Sequence, residues 1–129
     1  MKEQDIQLTK NFSRIEFDCN DGTPVPAKYM CNVIKVAENL QVLRDYIGES
    51  VLVSGSGYRT PTHNKKVGGA PNSQHLTANG ADITAKSYTP KKLAAVIEKL
   101  IAEGKMEQGG IGIYAGFVHY DRRGTKARW

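Results

Sequence analysis

Two stretches of the chain place apolar residues every three or four positions, which is the period of a helix with one buried face. The first lies within residues 27–47 and carries Met30, Val33, Ile34, Ala37, Leu40, Leu43 and Ile47. Gly48 follows at the position where a helix commonly stops. The second carries Leu93, Val96, Ile97, Leu100 and Ile101. Thr89 and Pro90 open it in cap and first-turn order, and we expect it to end near Gly104.

Short β-prone runs lie between and after these helices. Residues 51–53 (Val-Leu-Val) are bounded by glycines, which predicts a buried strand, and residues 81–84 predict another. In the last quarter, two runs flank Ala115 and Gly116 and are typical of a hairpin. The whole pattern predicts an α+β fold in which two helices cover one face of a small, mainly antiparallel sheet.

The remaining segments are rich in turn-forming residues. Residues 55–80 lack periodicity and contain many Gly, Pro, Asn, Ser and Thr residues, so we expect one long structured loop. Loops of this length in a compact domain usually carry function. Residues 11–26 are also turn-rich, and Asp21 with Gly22 predicts a turn there.

Length and charge narrow the class of protein. The 129 residues fit one domain over 1–129, and 18 basic against 13 acidic residues give a net charge of +5. The densest basic cluster comprises Arg122, Arg123, Lys126 and Arg128. Such a cluster is usually a solvated face, although it also suits a polyanion such as an anionic cell wall. Because aromatic residues are only 8% and no nucleic-acid motif is present, we expect no nucleic-acid partner.

The hydropathy pattern gives no sign of a membrane partner. No apolar run approaches the roughly 20 residues that a membrane-spanning helix needs. The first residues are polar and acidic where a secretory signal would be basic and then apolar. We therefore expect synthesis in the cytoplasm without a signal peptide. We also expect a monomer.

The two cysteines, Cys19 and Cys31, match neither the Cys-x-x-Cys redox spacing nor a four-cysteine zinc framework. Two free, partly buried thiols are the favoured interpretation for a cytoplasmic product. A disulfide between them stays open.

Two of the three histidines have neighbours that suggest a site. His75 ends the glycine-rich loop, and a bend at residues 77–80 would let it converge with Asp82. Strand alternation puts His119 on one face with Phe117 and Asp121. Two imidazoles and one carboxylate suit zinc and leave a fourth position for water. Alternatively, Asp82 caps a turn and accepts a hydrogen bond from His119 without any metal.

Three segments taken together carry a resemblance to a known family. They are Ser-Gly-Tyr-Arg-Thr-Pro at 56–61, then Val-Gly-Gly-Ala at 67–70 with Ser-Gln-His at 73–75 and Gly-Ala-Asp at 80–82, and Phe-Val-His-Tyr-Asp at 117–121. In order and spacing they resemble the zinc D-Ala-D-Ala carboxypeptidase family of murein peptidases, whose superfamily includes phage endolysins and the hedgehog signalling domain. The resemblance runs from residues 12–17 to Trp129 and implies a hedgehog/D-Ala-D-Ala peptidase-like fold.

Carried over by position, the resemblance implies a zinc ion (Zn2+) on His75, Asp82 and His119. It implies that Arg59 anchors a substrate carboxylate or carbonyl, which a guanidinium can do through two hydrogen bonds. Ser73 would donate a hydrogen bond to the substrate or only shape the turn. His63 matches a loop residue that is not a ligand, and we favour a structural role for it.

The chain departs from the family pattern at two places. Ala78 and Gly80 stand as if exchanged, which concerns the path of the loop. Several relatives have a carboxylate or a histidine shortly before the last ligand, whereas this chain has Gly116 and Phe117.

The catalytic base is therefore open. Asp121 shares a strand face with His119 and is the best candidate base by chemistry. Its alternative role is to orient a ligand histidine or to pair with Arg123 or Arg128. Tyr114, near the hairpin, would bind substrate or stabilise an oxyanion.

These residues lead to two functional hypotheses. The first is a zinc-dependent metallopeptidase that cleaves peptidoglycan stem peptides, as a D-Ala-D-Ala carboxypeptidase or as an endolysin-type endopeptidase. A phage lysis or virion protein would suit the expected lack of a signal. The alternative is a noncatalytic, zinc-containing module that binds the cell wall or another protein.

Overall fold

The computed structural model describes residues 5–129. Its helices are α1 (Met30–Ile47), α2 (Pro61–Lys66) and α3 (Pro90–Ala102). Its strands are β1 (Val51–Val53), β2 (Gly80–Ala85), β3 (Gly110–Ile113), β4 (Val118–Asp121) and β5 (Ala127–Arg128). Short 3-10 turns cover Arg14–Phe17, Ala27–Tyr29 and Gln74–Thr77.

The strands form one sheet in the order β1-β2-β4-β3-β5. Every neighbouring pair is antiparallel except β3 with β5. The prediction of an α+β fold with a small, mainly antiparallel sheet is therefore confirmed. In the central pair, Asp82 of β2 lies opposite His119 of β4.

Helices α1 and α3 cover one face of this sheet. The side chains between the layers are fully buried and include Leu40, Leu43, Leu93, Ile97, Leu100, Ile83, Val118 and Tyr120. The Tyr120 hydroxyl donates to the Glu107 carbonyl at 2.7 Å and lies 3.2 Å from Oδ1 of Asn39 in α1. Because side chains alternate along a strand, Tyr120 packs into the core while His119 and Asp121 point to the opposite face.

The helix ends follow the signals in the sequence. Gly48 has φ +71°, a left-handed conformation that favours glycine, and ends α1. The Thr89 side chain accepts a hydrogen bond from the Lys92 amide at 3.2 Å and caps α3. The first helix starts at Met30 rather than at residue 27, because the preceding three residues form a 3-10 turn.

Two expectations need correction, and one strand was not expected. The strand at 51–53 is not buried: β1 is an edge strand, and Leu52 is 57% exposed because only one face is covered. Residues 55–80 are not one loop, since they contain α2, which is too short to show a helical period. Strand β5 is only two residues long and carried no signal.

The remaining expectations concern the state of the two cysteines and the presence of membrane-spanning helices. Within the described residues both cysteines are free, but Cys19 is buried and Cys31 is exposed. Over residues 5–129, no helix combines the length and the apolar character that crossing a bilayer requires.

The leucine pair Leu40 and Leu52 tests this account of the core. Leu40 is 0% exposed, so Leu40→Ala should lower the free energy of unfolding by about 2–5 kcal/mol. Leu52→Ala removes the same atoms from an exposed site and should cost well under about 1 kcal/mol. Urea denaturation of both variants measures the difference, and equal costs would contradict the buried face of α1.

Candidate metal centre

Three side chains from three elements converge on the face of the sheet away from the helices. His75 lies in the 3-10 turn Gln74–Thr77, Asp82 in β2 and His119 in β4, and all three are buried. Oδ1 of Asp82 lies 3.3 Å from Nε2 of His75 and 3.1 Å from Nδ1 of His119. The structure therefore brings together the three residues that the resemblance marked as ligands.

The second nitrogen of each imidazole already has a partner. Nδ1 of His75 donates to the Gly57 carbonyl at 2.8 Å, and Nε2 of His119 lies 2.7 Å from Oδ2 of Asp121. The Gly57 carbonyl and the Asp121 carboxylate can only accept, so both outer nitrogens donate. The inner nitrogens face Asp82 and donate to it when they are protonated, and binding of an ion there would replace those protons.

This donor set fits a tetrahedral zinc ion. Ligand atoms 2.0–2.2 Å from zinc are roughly 3.3–3.6 Å apart in a tetrahedron. The donor atoms of His75, Asp82 and His119 all lie within 4.8 Å of one another, and the two contacts to Asp82 are close to that spacing. Neutral imidazole and carboxylate are the donors that zinc accepts, and outer hydrogen bonds of this kind orient such ligands.

Hydrogen bonds keep the buried carboxylate of Asp82 ionised. Burial would raise the pKa of Asp82, but hydrogen bonds from His119 and His75 hold it well below its usual range. Burial would lower the pKa of His119, yet its hydrogen bonds to Asp121 and Asp82 raise it. Asp82 is thus a buried carboxylate that stays ionised, which is the form that ligates a metal ion.

Asp121 lies on the outer side of His119. It is 0% exposed, and Oδ1 accepts hydrogen bonds from the Gly110 amide at 3.0 Å and from Nε of Arg123 at 2.9 Å. Oδ2 accepts from Nη2 of Arg123 at 2.7 Å as well as from His119. Burial would raise the pKa of Asp121, but the His119 and Arg123 hydrogen bonds hold it well below its usual range.

Arg59 lies at the edge of the centre. Its Nε donates to the Ser56 hydroxyl at 3.0 Å and its Nη1 to Oδ1 of Asn64 at 3.1 Å. Its Nη2 is 3.8 Å from Oδ2 of Asp82, so the cation also faces the candidate ligand. The Arg59 amide donates to the His75 carbonyl at 2.9 Å, which fixes this loop against the turn that carries His75.

An open cleft of about 540 Å³ gives access to these residues. Its lining includes Arg59, Ser73, Tyr114, Phe117, Arg123 and Trp129. Tyr114 is 43% exposed, stacks on Phe117 with ring centroids 4.6 Å apart, and accepts a hydrogen bond from Nε1 of Trp129 at 2.7 Å. The Ser73 hydroxyl accepts from the His75 amide at 3.2 Å, so it shapes the turn.

Sequence reasoning missed several groups that support the centre. Nothing in the sequence indicated the Gly57 carbonyl, because its role depends on chain path and not on a side chain. The alternating glycines Gly110 and Gly112 were a usable signal: a Cβ at the first would press on Asp121 and one at the second on Trp129. Ala78 adopts φ +56°, the left-handed conformation that glycine would take there.

Comparison with known proteins agrees with this geometry. The family model described as Peptidase M15 matches residues 6–121. The zinc D-Ala-D-Ala carboxypeptidase of Streptomyces albus G is 32% identical over 75 residues, which are 58% of this chain and 29% of that relative. The chain thus aligns with less than a third of the relative's length. The matched residues include the three candidate ligands, Arg59 and Asp121. Because the match covers most of the chain, the chain belongs to the Peptidase M15 family.

Proposed function

We propose that this protein is a zinc-dependent metallopeptidase that cleaves peptide bonds in peptidoglycan stem peptides. The convergence of His75, Asp82 and His119, with the outer nitrogen of each imidazole already bonded, carries the proposal. The family match and the named activity of the Streptomyces relative support it.

Each residue of the centre would have a distinct role in binding the metal or the substrate. Zinc held there supplies a Lewis acid, which polarises a carbonyl and lowers the pKa of water. His75, Asp82 and His119 would hold the ion, and the Gly57 carbonyl would keep one ring in position. Arg59 would grip a substrate carboxylate or carbonyl through its guanidinium, which already faces the centre.

For Asp121 we propose an orienting role rather than that of general base. Both of its oxygens accept hydrogen bonds, and it contacts the nitrogen of His119 that points away from Asp82. A carboxylate in this position fixes the tautomer and the direction of the ring. A base would need a free oxygen facing the cleft, and Asp121 does not line it.

The substrate would be a small peptide end with nearby carboxylates. Arg59 and Arg123 supply cationic groups in the cleft, while Tyr114 and Trp129 supply a flat apolar wall. Both a free D-Ala-D-Ala end and an L-Ala-D-Glu bond have this chemistry. Mass spectrometry of digested muropeptides distinguishes them: carboxypeptidase action releases D-Ala, whereas endolysin-type action, which would suit a phage lysis protein, divides the stem.

One observation favours a second candidate, a noncatalytic zinc-containing module that binds the wall. Among the described residues that line the cleft, Asp82 is the single carboxylate, and it is a candidate ligand. Apart from the candidate ligands, no described residue of the cleft lining therefore offers a carboxylate or an imidazole as general base. Such a module would bind murein without releasing new amino groups.

Removal of a ligand tests the enzyme proposal. Loss of a residue that only hydrogen-bonds to a metal ligand lowers metal affinity by about 10–100-fold. His75→Ala removes a ligand itself, so its zinc affinity should fall further. This variant should release no amino groups from purified peptidoglycan. Asp82→Asn should act in the same direction, whereas Asp45→Asn, at an exposed carboxylate of α1, should change neither property. Metal analysis and amino-group assays measure both. Full cleavage by metal-free protein would refute the enzyme, and zinc-loaded protein that binds murein without cleavage would support the module.

The variant Asp121→Asn separates orientation from base catalysis. If the carboxylate orients His119, zinc affinity should fall by about 10–100-fold and hydrolysis should recover when zinc is saturating. Glu98→Gln disrupts a comparable pair with Arg128, 2.8 Å apart and outside the cleft, and should affect neither quantity. Hydrolysis that stays lost in the fully loaded variant would assign the base to Asp121.

The proposed role of Arg59 predicts a change in KM. Arg59→Lys keeps the charge but loses the two-pronged geometry, so KM should rise about 10–100-fold with smaller changes in kcat and unchanged zinc content. Arg122→Lys, at an arginine paired with Glu107 outside the cleft lining, is the matched control. Steady-state kinetics on a stem peptide decides, and an unchanged KM would contradict the anchor.

A further inference from the structure

A second cluster of metal-ligating side chains lies outside the cleft. Sγ of Cys19, a carboxylate oxygen of Asp21 and a ring nitrogen of His63 all lie within 4.8 Å of one another. None of the three residues lines the cleft that contains His75. The cluster is therefore separate from the proposed catalytic centre.

Backbone and hydroxyl contacts hold the acidic part of this cluster in position. The Gly22 amide donates to the Cys19 carbonyl at 2.9 Å, and Gly22 has φ +95°, which glycine accommodates without strain. The Thr23 amide donates to Oδ1 of Asp21 at 2.9 Å. This tight turn brings the Cys19 and Asp21 side chains to the same side, with Sγ and a carboxylate oxygen within 4.8 Å of each other.

Thr60 fastens the turn to the helix that carries His63. Its hydroxyl donates to Oδ2 of Asp21 at 3.0 Å and accepts from the His63 amide at 3.1 Å. The imidazole of His63 makes no hydrogen bond to another side chain or to backbone within residues 5–129. A ring nitrogen thus stands beside a buried thiol and a carboxylate with its coordinating capacity unused.

The donor chemistry suits a borderline-soft divalent ion. Cysteine thiolate, imidazole and carboxylate are all zinc ligands, and three of them leave a fourth position for water. Tetrahedral sulfur and nitrogen donors are roughly 3.3–3.8 Å apart, so the cluster needs only small side-chain adjustments to close on an ion. Cys19 is 4% exposed while Asp21 is exposed, which gives an ion a solvent-facing entry and a buried sulfur anchor.

We propose that Cys19, Asp21 and His63 form a second site, separate from the cleft, for a zinc-class divalent cation. Binding replaces the thiol proton, which passes to solvent, by a sulfur–metal bond. The ion joins the turn at residues 19–23 to α2. Because Asn64 of α2 accepts a hydrogen bond from Arg59, the ion also stiffens the support of that arginine.

Cobalt titration of the metal-free protein tests the site. Under a non-thiol reductant, the wild type should bind two equivalents of Co²⁺ and develop a thiolate-to-cobalt charge-transfer absorption. Cys19→Ser should lose that absorption and one equivalent, and His63→Ala, on a different element, should do the same. Cys31→Ser, at the exposed cysteine, is the matched control and should keep both.

The same titration separates this site from the catalytic proposal. His75→Ala should lose one equivalent but keep the thiolate absorption, so a failure of the cleft to bind metal leaves the second site visible. In that variant, zinc should still raise the thermal midpoint, and adding Cys19→Ser should remove the increase. No thiolate absorption in the wild type, an absorption that follows Cys31, or two equivalents retained by Cys19→Ser would overturn the second site.

Discussion

The register between β2 and β4 is the constraint on which the candidate centre depends. It sets Asp82 opposite His119, and it holds Ile83 and Val118 opposite each other on the face that the helices cover. A slip of either strand by one residue would move the polar side chains of that strand to the face that the helices cover. Gly80 preserves this pairing at close range, since a Cβ there would lie 2.9 Å from Cβ of Asp121 and 3.2 Å from the His119 ring.

From that register the charges extend outward as a connected chain. Arg123 donates a hydrogen bond to Asp121, and the two nitrogens of His119 contact Asp121 and Asp82. A buried carboxylate without partners would be strongly unfavourable, so each acid of the centre depends on the cations and amides around it. The same contacts that make the charges tolerable also aim the imidazole nitrogens, which is why stability and ligand geometry are inseparable here.

The sequence predicted the parts of this molecule that depend on local pattern. The periods at residues 30–47 and 90–101 gave the two covering helices, and alternation at 117–121 gave the face of His119. The candidate ligands came from spacing and family resemblance. The sequence could not predict features that depend on contacts between distant segments. These are the hydrogen bond from His75 to the Gly57 carbonyl and the pairing of Asp121 with Arg123. They also include the exposure of Leu52 on an edge strand and the proximity of Cys19 to His63.

The most direct measurement is a crystal structure of the zinc-loaded protein with anomalous data at the zinc edge. We expect a peak about 2.0–2.2 Å from Nε2 of His75, Oδ1 of Asp82 and Nδ1 of His119. We also expect Nε2 of His119 to stay hydrogen-bonded to Asp121. A zinc ion coordinated through Nε2 of His119, or no peak between these three residues, would contradict it.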